Sequence, residues 1–404
     1  MWEPESREDV DDEHIGPLPL KRDPRDPRVS PLELFFDLVY VFGIGQLVHH
    51  LVEHLTWTGL AQTLVLYAAV FLAWSYTSWA GSLTDPDRSQ VRMMLLVIMV
   101  LGLFMNVAAP EAFGEAGWLF VATYLTIQIG RTLWLLTTGL DDVMRRHFQR
   151  ALVWLVTTAP LWITGAVVDG PARLILWGIA TVIDLLGLLA AHPLPGKRFH
   201  SERVDFAAEH QFERARLFFI IALGETVLTT GSAVASAPLG PMTLFTGAVA
   251  VIGTIAVWWV YFRRSEPRAV SQAIVGRDPV RTSRYAINTL LVMVAGLLAI
   301  AVGDELVIAH PIGHTDAVTN AFLFGGPFLF FAAQTWYMRA VMREVPISRP
   351  IALVTLVVLA VATLPTPPYL AGCAALAVVL GVAIADGRRA TAEEAHAASL
   401  GIGE

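Results

Sequence analysis

The chain has 404 residues, of which 55% are hydrophobic and 16% charged, with a formal net charge of −7. A soluble domain carries about 25% charged residues, so this composition excludes an ordinary water-soluble globule, and the acidic balance argues against nucleic acid as a partner. The single cysteine, Cys373, excludes an intrachain disulfide and any multi-cysteine metal site.

Residues 1–29 are polar and Pro-rich, with acids at Glu3, Glu5, Glu8, Asp9, Asp11, Asp12 and Glu13. They read as a disordered cytoplasmic tail with no cleavable leader. Twelve apolar runs follow, each near the length a helix needs to cross a bilayer. They lie at 32–52, 59–79, 91–109, 118–139, 151–168, 174–191, 217–235, 242–262, 285–303, 321–338, 351–364 and 369–385. The eleventh is short and flanked by proline. A cytoplasmic connector is expected over 192–216 and a second cytoplasmic tail over 387–404. Of the 28 basic residues, all but Arg131 and Arg173 fall in the tails and even-numbered loops or at their edges. Cytoplasmic loops retain cations, so both termini are placed inside. Loops on the other side are short, leaving no room for a folded external domain.

The two halves echo each other. Leu34-Phe35-Phe36 opens the first run and Leu217-Phe218-Phe219 the seventh. Trp74-Ser75-Tyr76 ends the second and Trp259-Val260-Tyr261 the eighth. Asp85-Pro86-Asp87-Arg88 precedes the third and Asp278-Pro279-Val280-Arg281 the ninth. The shared order predicts an all-α polytopic bundle of about twelve spans, built as a six-plus-six duplication over 30–191 and 217–386. Six is even, so the repeat is parallel.

Several blocks resemble one known family. Ser30-Pro31-Leu32-Glu33-Leu34-Phe35-Phe36-Asp37-Leu38-Val39-Tyr40-Val41-Phe42 is similar to the opening signature of the low temperature requirement A (LtrA) family. Phe212-Glu213-Arg214-Ala215-Arg216-Leu217-Phe218-Phe219, running on to Gly224-Glu225 and preceded by His210, resembles a later block. Trp258-Trp259-Val260-Tyr261-Phe262 and Val302-Gly303-Asp304-Glu305 with His310-Pro311 look like two more. The resemblance implies a bacterial multi-pass membrane protein and brings no established reaction with it.

Ionisable groups inside a membrane face a cavity or a partner. Asp37 lies one to two turns into the first run, with Glu33 one turn earlier on the same face. Glu225 and Asp184 lie deeper, in the seventh and sixth, and Arg131 lies in the fourth near Gln128. Three acids against one base leave at least one acid to be protonated, to bind a cation or to alternate. His210, Glu213 and Arg214 sit at the cytoplasmic start of the seventh run, as structural or gating groups, with Arg214 in reach of Glu33 or Asp37. Trp74, Tyr76, Trp259 and Tyr261 are candidate ligand contacts because both halves carry them. His50-Leu51-Val52-Glu53-His54 matches a zinc-peptidase spacing, but a polar helix end explains it better and no metal is assigned. Gly43, Gly45 and Gly224 permit close helix approach. No phosphate-binding loop is present, so the sequence specifies no cofactor.

The expected function is a secondary transporter or ion-coupled permease of the bacterial inner membrane. Asp37 and Glu225 would bind the coupling ion or the substrate, an unidentified small molecule or ion, with Arg131 as counter-ion. The alternatives are an intramembrane enzyme acting on a lipid or lipid-linked substrate, and a membrane sensor or scaffold. Membrane lipid is the expected surrounding partner, and self-association is left open.

Overall fold

The computed structural model describes residues 28–194, 208–265 and 278–399. The predicted tail up to residue 27 and the middle of the predicted connector lie outside them. Twelve helices follow in order: α1 Pro31–Glu53, α2 Trp57–Gly81, α3 Ser89–Ala108, α4 Gly117–Thr137, α5 Asp142–Val167, α6 Pro171–Ala190, α7 Ala208–Ser236, α8 Pro241–Arg263, α9 Pro279–Ala309, α10 Ala317–Met342, α11 Ser348–Ala362 and α12 Pro368–Ser399. No extended strand occurs among the described residues. Eleven of the helices are long and apolar enough to cross a membrane, and α11, with 15 residues, falls short. At about 1.5 Å per residue it spans less than the roughly 30 Å hydrocarbon core.

The starts of the helices follow local chemistry. Ser30 and Glu33 form a capping box on α1, with Pro31 in the first turn. Thr56 caps α2, and Asp141, Asp278 and Asp316 cap α5, α9 and α10, each accepting from amides of the first turn. Several helices extend past the apolar runs, among them the fifth, which starts at Asp142 rather than 151. The seventh starts at Ala208 rather than 217, the ninth spans Pro279–Ala309, and the twelfth continues to Ser399. An apolar window registers only the stretch that must avoid water, whereas the backbone stays helical into polar flanks that cap and form helix well.

The packing repeats between halves. In the first half α1 packs on α2 and α3, α3 on α4, α4 on α5, α5 on α6, and α6 returns to α2. In the second half α7 packs on α8 and α9, α9 on α10, α10 on α11, α11 on α12, and α12 returns to α8. Each of these first-half pairings thus has its counterpart six helices later, while the second half adds contacts of α8 with α9 and of α10 with α12. The halves meet where α1 and α2 pack against α7 and α9. Apolar side chains exposed along α3 (Met93, Val97, Val100) and α11 (Val354, Val358, Val361) form faces suited to lipid.

Contacts at the helix termini define one end of the bundle. Glu33 at the start of α1 meets His210 and Arg214 near the start of α7, and Ser82 at the end of α2 meets His210. Arg349 at the start of α11 meets Asp386 near the end of α12. Odd-numbered helices therefore begin at this end, with Arg145 and Arg146 exposed beside it, and it is called the basic end below.

Candidate functional site

Glu33 and Asp37, one turn apart on α1, are both fully buried. α7 brings Arg214 across to them. Its Nη1 donates to Glu33 Oε1 at 3.1 Å and its Nη2 to Asp37 Oδ1 at 2.5 Å. Arg214 is itself fully buried and its guanidinium lies 5.5 Å from the centre of the Phe36 ring. His210, one turn earlier on α7, places Nε2 3.2 Å from Glu33 Oε1, and its Nδ1 lies 3.0 Å from Ser82 Oγ. Ser82 also donates to Gln211, which donates to Ser78. Trp74 of α2 donates its indole N–H to Asp37 Oδ1 at 2.7 Å while its ring packs 3.9 Å from that of Phe218. Asp37 Oδ2 is buried with no hydrogen-bond partner.

The cluster thus ties α1 and α2 of the first half to α7 of the second. Removing one member of a buried ion pair strands the other charge, at about 3–5 kcal/mol. His210 and Arg214 are one turn apart and face inward only because α7 is already helical there. Glu213 points elsewhere and forms a half-exposed pair with Arg216 at 3.2 Å.

Glu225 does not join Asp37. It packs against Gly45, where an added Cβ would stand 2.0 Å from Glu225 Oε1. Gly45 lies two turns, roughly 12 Å, beyond Asp37 along α1, so the two acids occupy different levels. Nor is Arg131 their counter-ion. Arg131 donates to Thr77 Oγ1 at 3.0 Å and to Gln128 Oε1 at 2.7 Å, and its guanidinium lies 5.3 Å from the centre of the Tyr76 ring. Asp37 has Arg214 instead. Asp184 is held by neutral donors: Thr158 at 2.8 Å, Trp162 at 3.1 Å and Tyr124 at 3.2 Å. Gln128 and Tyr124 stand between it and Arg131. Gln128 belongs to a π-helical turn, Thr126–Gly130, that leads directly into Arg131; such turns are frequent at functional sites.

The repeated aromatic pairs are not equivalent in place. Trp74 and Tyr76 are buried, whereas Trp259 is 41% exposed with Arg263 over its ring, and Tyr261 stacks on Phe219 at 3.9 Å. His50 and His54 stack 4.6 Å apart at the end of α1.

Sequence reasoning missed two features. Arg349 Nη2 and Asp386 Oδ2 pair at 2.7 Å, both buried; an Arg opening one helix and an Asp closing its neighbour was the available signal. The second is His192, which accepts or shares a hydrogen bond with the Tyr76 hydroxyl and lies 5.5 Å from the His147 ring. Ala191 and His192 are both left-handed, with φ of 57° and 54°. Each non-glycine residue held so costs of order 1–3 kcal/mol. Burial pushes the His192 imidazole well below its usual range, and His147, Arg150 and Arg284 add to the effect.

Helices of this length and apolarity, enclosing a buried charged cluster, define a multi-pass membrane protein. The family model described as bacterial low temperature requirement A protein (LtrA) matches residues 28–384. The chain belongs to that family. An uncharacterized protein of Rhizobium meliloti (strain 1021) is similar, 33% identical over 321 residues, covering 78% of each chain. No solved structure matches.

Proposed function

We propose that this chain is an ion-coupled secondary transporter of the bacterial inner membrane, with both termini cytoplasmic and the basic end facing the cytoplasm. The observation that carries this reading is the Glu33–Asp37–His210–Arg214 cluster at the seam between the halves. In alternating access two bodies rock about a central site, so the contacts at their seam are the ones remade in each cycle. The moving bodies would be 30–191 and a second body beginning at Ala208, nine residues earlier than the apolar run implies.

Charge bookkeeping supplies the coupling. The described partners of the two carboxylates include one guanidinium and one imidazole. A proton on His210 or on Asp37 therefore changes the charge of a desolvated seam by one, and buried charge is tolerated only when paired. Proton arrival and departure would alternately hold and release the halves. Glu225 would act at a separate level, beside Gly45.

The test is proton flux in proteoliposomes under an imposed pH gradient, read with an internal pH dye across a panel of small anions and cations. Wild-type protein should move protons with one solute class. Asp37→Asn should reach the membrane and elute as a folded species but lose coupled flux, and Arg214→Gln should lose both flux and about 3–5 kcal/mol of stability. Coupled flux in Asp37→Asn at the wild-type rate would rule the cluster out.

A further inference from the structure

A second polar locus lies beside the seam cluster and has a different charge. At the basic end a cavity of about 50 Å³ opens between α2, α5, α6 and α9, so both halves form its walls. Tyr76, His147, His192 and Arg284 line it. Tyr76 is also the ring against which Arg131 rests, 5.3 Å from the guanidinium. Two guanidinium groups thus bracket the path, Arg284 on the cavity wall and Arg131 behind Tyr76, with the neutral imidazoles of His192 and His147 between them as hydrogen-bonding groups.

Among the described residues, the acids nearest this path, Asp184 and Asp278, are engaged by other groups. Asp184 is saturated by Thr158, Trp162 and Tyr124 and reaches Arg131 only through two neutral side chains. Asp278 lies near the mouth, where it caps the first turn of α9 through the Arg281 amide. Arg131 is 2% exposed, its named hydrogen-bond acceptors are Thr77 and Gln128, and its Nε is buried with no partner. His192, also 2% exposed, has a buried Nδ1 with no partner, and Arg284 Nε is likewise buried and unpartnered. A guanidinium enclosed in the membrane without a carboxylate calls for a counter-anion, and low-dielectric walls focus that attraction. The cavity is far below the roughly 300–1,000 Å³ of sites for drug-sized ligands.

We infer that this cavity binds a small oxyanion, of phosphate or carboxylate size, which Arg284 contacts at the wall and which Arg131, behind the Tyr76 ring, attracts across that ring. The inference rests on the transport reading only in making that anion the substrate; the binding site stands without it. Because α9 supplies Arg284 and α2 supplies Tyr76, an anion here would bridge the halves close to the proton-sensitive seam.

Calorimetric titration of the full chain in zwitterionic detergent, with inorganic phosphate and separately with acetate, tests this directly. At least one should bind the wild type. Arg284→Gln should weaken binding by about tenfold or more, as loss of a charge-assisted contact does. Arg131→Gln, which removes the second cation, should also weaken it, to a lesser degree than the loss of Arg284. Should Arg131→Gln misfold, Arg131→Lys keeps the charge and should bind within about tenfold of wild type, while Arg216→Gln, outside the cavity, should bind as wild type does. Binding seen only in nanodiscs containing phosphatidylglycerol, and lost in Arg284→Gln, would assign the same anion site to a lipid headgroup. No binding of phosphate, acetate or phosphatidylglycerol by the wild type would overturn the inference, as would equal affinities in wild type and Arg284→Gln. Binding without coupled flux would sink the transport reading and leave the anion site. Flux with a cation and no anion binding would do the reverse.

Discussion

His192 shows how one residue couples backbone and charge. Its left-handed backbone turns the ring back toward Tyr76, and its surroundings of His147, Arg150 and Arg284 keep it neutral when folded. Unfolded, it would titrate near 6.5. Below that pH the unfolded chain takes up a proton that the folded chain refuses, so stability falls as pH drops from about 6.5 toward the folded value, by up to about 1.4 kcal/mol per pH unit. His192→Asn removes the titration and tolerates the left-handed backbone. Thermal melts between about pH 7 and pH 5 should show a flatter acid limb for His192→Asn than for wild type. Identical limbs would mean that His192 does not titrate in this window. Gly45 is the counterpart for Glu225: it has no side chain because a carboxylate occupies that space.

At the α9–α10 crossing backbone meets backbone. A Cβ on Gly326 would stand 2.7 Å from the Ile300 nitrogen and 2.9 Å from the Gly296 carbonyl oxygen, and one on Gly303 would stand 2.9 Å from the Leu323 nitrogen. Membrane helices gain packing energy where small residues let backbones close in. Gly326→Ala should therefore force the pair apart and destabilise by about 1–3 kcal/mol. Gly381→Ala on α12 meets nothing within 4 Å and should stabilise by up to about 1 kcal/mol. Melting temperatures shifting in the same direction for both variants would contradict the crossing. Separately, the contacts of α9 with α1 and α2 set Arg284, near the start of α9, beside the first half.

At the scale of the molecule, the matched neighbour pattern makes each half a closed set of six helices with its own returning contact, α6 to α2 and α12 to α8. The two sets meet along α1, α2, α7 and α9, with the charged cluster and the Tyr76–Arg284 cavity both at that seam. Orientation follows from charge. Cysteines placed at Glu115 and Arg146, both exposed, with Cys373 replaced, should react with an impermeant reagent from opposite faces. Arg146 is expected inside. Labelling of both from one face would break the alternation of the third to fifth helices.

The sequence by itself determined the class of fold, the helix order and the face shared by Glu33 and Asp37. Those rest on local quantities: apolar length, side-chain period and the placement of cations in loops. It also put Arg214 within reach of that face, because both sit near the start of helices beginning at the same end. Tertiary structure alone decided which deep charges meet. Depth along each helix allowed Asp37, Glu225 and Arg131 one site, but pairing depends on rotation about the helix axes and on where small residues admit a neighbour. Gly45 draws Glu225 to a level two turns away from Asp37, and the π turn in α4 aims Arg131 at Tyr76. The cavity at His192 lay beyond sequence reading for the same reason, since four helices from two halves converge on it and no local pattern records that meeting.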